Sequence, residues 1–62
     1  MKDPEQLAID IHNKNTDELK ERRAKILSYL MSRGINEDLL IELLTVYTEL
    51  TFRNMKEVLG FL

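Results

Sequence analysis

The chain has no cysteine and no tryptophan, a single histidine, a single proline and two glycines in 62 residues. Each scarcity removes a possibility. Without cysteine there are no disulfides and no thiolate metal sites. With His12 as the one imidazole, a zinc site would have to be built mostly from carboxylates, which is uncommon. No unbroken apolar run approaches the length of a membrane span; Leu39-Leu40-Ile41 is typical of those present. The segment Met1-Lys2-Asp3-Pro4-Glu5 lacks the apolar stretch of a signal peptide, so a soluble cytoplasmic protein with no membrane association is expected. A chain of this length lies below the size at which one core comfortably stabilises a fold. With disulfides and zinc removed, association with a second copy or with another protein is the expected remaining source of stability.

What is present is charge and aliphatic side chains. Charged residues make up 32% of the chain and apolar residues 44%, a balance that favours folding over disorder. The formal net charge of −2 runs against a dedicated nucleic-acid binder.

Helix punctuation is clear in three places. Asp3-Pro4-Glu5 reads as an N-cap, a proline at the first helical position and an acid placed for the helix dipole. Asn15-Thr16-Asp17-Glu18 has the spacing of a capping box. Gly34-Ile35-Asn36 reads as a helix-ending glycine, an apolar closing contact and the next N-cap, with Glu37 and Asp38 in the following first turn. These signals predict helices over about 4–12, 17–33 and 37–59 within one small helical domain spanning 1–62. The short connection at Gly34 makes the last two an antiparallel hairpin.

The first segment also fits a strand period, because Leu7, Ile9 and Ile11 alternate with Ala8, Asp10 and His12. A strand over 7–12 followed by two helices resembles the ribbon-helix-helix family of dimeric DNA-binding regulators. That resemblance implies polar, often basic strand residues facing the groove, and a DNA-binding dimer of this chain would use Lys20, Arg22, Arg23, Lys25 and Arg33. Yet the groove-facing strand positions would be Ala8, Asp10 and His12, and an aspartate is a poor choice against bases and phosphates. Pro4 favours the helix.

In the second helix Leu19, Ile26, Leu27 and Leu30 form a core stripe edged by Ala24 and Met31. Arg23 falls inside it. It is expected to snorkel along the apolar surface, the alternative being an ion pair with Glu42 or Glu49. Arg22, Lys25, Tyr29 and Arg33 read as a solvated face, with Glu18 and Glu21 placed for intrahelical pairs to Arg22 and Lys25.

The third helix carries the most apolar surface. Glu42, Thr45, Glu49, Arg53 and Lys56 form a narrow polar strip. Leu39, Leu43, Val46 and Leu50 line one flank, followed by Leu40, Leu44, Tyr47 and Val58, and then Ile41, Phe52, Met55 and Leu59. Together these cover an arc of roughly 240°, well beyond the ~100° that one neighbour requires. Phe61 and Leu62 continue the apolar character past Gly60. An open face is therefore expected, with Leu40, Leu44, Tyr47, Phe52, Met55 and Leu59 as candidates for self-association or partner binding.

Catalytic parts are missing from the sequence. It contains no glycine-rich phosphate loop, paired-histidine motif or nucleophile elbow, and Ser28 and Ser32 have no histidine near in sequence. Tyr47-Thr48-Glu49-Leu50-Thr51, on the second arm of a glycine-centred hairpin, agrees at its Glu and Leu with a Ser-x-Glu-Leu-Asp motif. To that extent the chain resembles the small helical-hairpin phosphatases that act on response regulators. The Ser and Asp positions hold Tyr47 and Thr51 instead, so the activity is not carried over.

The expected protein is all-α, a helical hairpin with a short N-terminal helix, assembling as a homodimer in a four-helix-type bundle. Its expected role is non-enzymatic and without cofactors: an adaptor, inhibitor or regulatory subunit acting on another protein. A dimeric DNA-binding regulator and a structural subunit of a larger assembly are the alternatives.

Overall fold

A computed structural model describes residues 3–60, and the Phe61-Leu62 expectation lies outside them. The chain folds as three helices: α1 (Pro4–His12), α2 (Thr16–Arg33) and α3 (Glu37–Leu59). Segment 7–12 is helical, which removes the strand on which the ribbon-helix-helix reading depended. Asp3 caps α1 by accepting from the Glu5 amide, and Pro4 takes a first-turn position where its missing N–H costs nothing. That local chemistry outweighs the two-residue alternation.

Asn15 caps α2 as its capping-box spacing suggests, accepting from the Glu18 amide at 2.8 Å, and the helix begins at Thr16, one residue before the expected start. Its side-chain amide donates in return to Glu18 Oε1 at 2.9 Å. This variant of the capping box occupies Glu18, and Arg22 turns elsewhere. Gly34 ends α2 at φ +91°, a backbone conformation closed to residues with a Cβ. Its N–H donates to the Leu30 carbonyl. Ile35 does not close the turn as expected: it is 86% exposed. Asn36 then caps α3 through the Leu39 amide.

α2 and α3 pack antiparallel, as shown by Arg22 meeting Glu42, Arg23 meeting Tyr47 and Thr16 meeting Arg53. α1 lies along α3 on the other flank. The core is small. Leu7, Ile11, Leu19 and Val46 form one buried cluster with Leu50 against it, and Ile26 and Leu43 are buried further along the hairpin. Leu27 and Leu30 are half-buried, while Ala24 and Met31 lie in solvent. The molecule is long for its mass, measuring 42 × 24 × 15 Å, with an accessible surface of 5132 Å². A typical monomer of 7.3 kDa exposes about 4,200 Å². The difference is of order 900 Å², and α3 carries most of the exposed large apolar side chains.

Candidate interaction surface

Most of the polar strip of α3 is turned away from solvent, Lys56 being its exposed member. Glu42, Glu49 and Arg53 are half-buried and turned toward the other two helices. Arg53 is the centre of a clamp. Its Nε donates to Glu49 Oε2 at 2.9 Å and its Nη1 to Thr16 Oγ1 at 3.1 Å. Its Nη2 donates to the carbonyls of His12 at 3.0 Å and Lys14 at 2.7 Å. One guanidinium thus satisfies carbonyls at the end of α1 and in the α1–α2 turn, using four of its five N–H donors. The other carboxylate oxygen of Glu49 lies 3.2 Å from His12 Nδ1. The Arg53 hydrogen bond, with a smaller contribution from His12, holds the Glu49 carboxyl below the ordinary carboxylate range against the opposing effect of burial.

Arg22 reaches across to Glu42 with two hydrogen bonds rather than back to Glu18, and its guanidinium holds its proton more tightly as a result. Arg23 takes neither Glu42 nor Glu49. It lies over the Tyr47 ring, 5.5 Å from the centroid, covering apolar surface as a snorkelling side chain does. Lys25 pairs with Glu21 within α2 at 4.0 Å, and Arg33 stacks over Tyr29. Lys20 is exposed. The candidate basic residues are therefore dispersed: Arg22 and Lys25 are paired with carboxylates, and Arg23 and Arg33 are laid on rings.

The opposite side of α3 is apolar and open. At 100° per residue, Ile41, Leu44, Thr48, Phe52, Met55 and Leu59 fall within an arc of about 80°. Phe52 is 68% exposed, Leu59 61%, Leu44 59% and Met55 56%. Thr48 Oγ1 donates to the Leu44 carbonyl and Thr45 Oγ1 to the Ile41 carbonyl, both at 2.8 Å. Both hydroxyls are thus spent within the helix. Between this stripe and α1 runs an apolar groove of about 510 Å³, lined by Ala8, Ile11, His12, Ile41, Leu44 and Phe52 among others.

Four of the six residues singled out from sequence, Leu44, Phe52, Met55 and Leu59, share this stripe. Leu40 and Tyr47 are exposed but sit to the α2 side, where Arg23 partly covers Tyr47. Ile41 and Thr48 belong to the stripe and were not singled out. The signal for them is their spacing at three and four residues from Leu44: Ile41 already stood in the apolar arc, and Thr48 is overlooked by a selection on apolar bulk.

No family model matches the chain, and neither a curated protein nor a solved structure matches it. Among the described residues, no helix is long and apolar enough to cross a membrane, and no three His, Asp or Glu residues are grouped to hold a metal ion. In the Tyr47–Thr51 segment, Glu49 is committed to Arg53 and His12.

Proposed function

We propose that this protein is a non-enzymatic protein–protein interaction module that works as a homodimer, serving as a small adaptor, inhibitor or regulatory subunit. The observation that carries the reading is the open apolar stripe of α3. Ile41, Leu44, Phe52, Met55 and Leu59 expose large side chains in one continuous band on a well-capped helix. Contiguous apolar surface of this kind marks a site of association. The surplus of order 900 Å² over a typical monomer is close to the ~800 Å² that each partner contributes to a standard interface. Charge supports the choice of surface, because Glu42, Glu49 and Arg53 of α3 are already engaged within the fold.

The test is the solution mass by light scattering for the parent and for Phe52→Glu, with far-UV circular dichroism on both. The parent is expected at twice the chain mass of 7.3 kDa. Phe52→Glu is expected at the chain mass with its helical signal kept. A parent that stays a folded monomer at high concentration overturns the proposal.

A further inference from the structure

We infer that the two copies pair antiparallel, α3 against α3, with Thr48 on the two-fold axis and Phe52 of each chain entering the α1–α3 groove of the other. This rests on the homodimer proposed above and adds its geometry.

Register is the first argument. About Thr48 the stripe reads the same in both directions, with Leu44 and Phe52 each four residues away and Ile41 and Met55 each seven. A two-fold axis through Thr48 sets Ile41 against the partner's Met55, and Leu44 against the partner's Phe52. Large side chains then meet large side chains, and the smallest residue of the stripe lies where the helices cross. Thr48 suits that place because its hydroxyl is already bound to the Leu44 carbonyl, so close approach strands no donor.

The groove is the second. Leu44 forms part of its wall, together with Ala8, Ile11, Ile41 and the same chain's Phe52. The antiparallel register brings the partner's Phe52 to Leu44 and supplies an apolar ring for an apolar cleft. In a parallel pair Phe52 would meet its own copy and leave the groove unfilled.

Charge is the third. Asp38 and Lys56 are eighteen residues apart, five whole turns, and so lie at one angle on the same flank of the stripe. Among the described residues neither has a side-chain partner within the chain. Antiparallel pairing brings Asp38 beside the partner's Lys56 at both ends of the interface. Parallel pairing would bring the acidic first turns, Glu37 and Asp38, together. Antiparallel helix dipoles favour the same choice.

The lack of native cysteine makes single-cysteine cross-linking clean. Thr48→Cys is expected to give a covalent dimer under mild oxidation. Ile41→Cys alone is expected not to, since its two copies would lie about 21 Å apart along the axis, beyond disulfide reach. A mixture of Ile41→Cys and Met55→Cys is expected to give the mixed dimer. If Ile41→Cys links to itself as readily as Thr48→Cys, the pairing is parallel and the inference fails. A light-scattering dimer in which neither Thr48→Cys nor the mixture links also overturns it, while leaving the interaction-module reading intact. A monomeric parent removes that reading as well. Charge reversal gives a readout free of cysteine: Lys56→Glu should weaken dimerisation about twofold to tenfold, and Asp38→Lys together with Lys56→Glu should restore it. Weakening without restoration counts against the register.

Discussion

The two sides of α3 differ in the opposite sense to a surface helix: charge stands beside the core residues on the inner side, while the solvent side is apolar. The side turned toward α1 carries Glu42, Glu49 and Arg53 beside the buried Val46; the side turned to solvent carries Leu44, Phe52 and Met55. The inner side tolerates charge because each charged group is satisfied. Arg53 alone bonds one carboxylate, one hydroxyl and two carbonyls. The outer side makes no such contacts and is left with apolar area. Amphipathicity turns an apolar stripe toward the core, here Leu43, Val46 and Leu50, and leaves polar residues outside unless they find partners within. In α3 they have partners, so apolar surface was free to collect outside.

Substitutions on the two sides separate their roles. The largest effect belongs to Val46→Asp, which puts an unpaired charge in a fully buried position. A core this small supplies about 3–5 kcal/mol, so the variant is expected to be unfolded by circular dichroism. Arg53→Ala comes next. It removes the Arg53 bonds to Glu49, Thr16 and the His12 and Lys14 carbonyls, leaving Glu49 only its His12 contact, and urea titration should register a loss of about 1.5–3 kcal/mol. If Arg53→Ala costs nothing, the Arg53 clamp does not hold α1 to the hairpin.

The pH dependence is smaller and has a definite sign. Glu49 titrates below its ordinary value in the folded state, so its contribution is complete above the unfolded carboxylate value of about 4.5. It is lost as the pH falls through the lowered native value. The urea midpoint should therefore drop on acidification below about pH 4.5, and Glu49→Gln should show a shallower drop. Smallest of all is Met31→Gln. That side chain is 87% exposed on α2, away from both sides of α3, and stability should change by less than about 0.5 kcal/mol.

Much of the fold was legible in local chemistry. Asp3-Pro4, Asn15 with Glu18, and Gly34 with Asn36 place the helix ends because caps and a positive-φ glycine are short-range constraints. The excess apolar arc of α3 was legible for the same reason, since periodicity needs only the sequence. The partners of the charges were not. Glu18 stands four residues before Arg22, the spacing of an intrahelical pair, but Asn15 occupies Glu18 and Glu42 receives Arg22 from across the hairpin. Nor does any spacing reveal that Arg53 would reach the end of α1, 41 residues earlier in the chain. Such pairings depend on how helices dock, which a one-dimensional pattern does not contain. The stripe was half legible: its bulky members stood out, whereas Thr48 gains its meaning only once the open side is known.

The central claim, that the apolar side of α3 is covered by a second copy while the polar side is the inner one, is tested most directly by isotope-filtered NMR. Labelled and unlabelled chains would be mixed one to one after unfolding and refolding. Intermolecular contacts are expected at Ile41, Leu44, Phe52 and Met55 and not at Leu19, Ile26 or Val46. Intermolecular contacts absent from that stripe, or found instead on the exposed side of α2, would contradict the account.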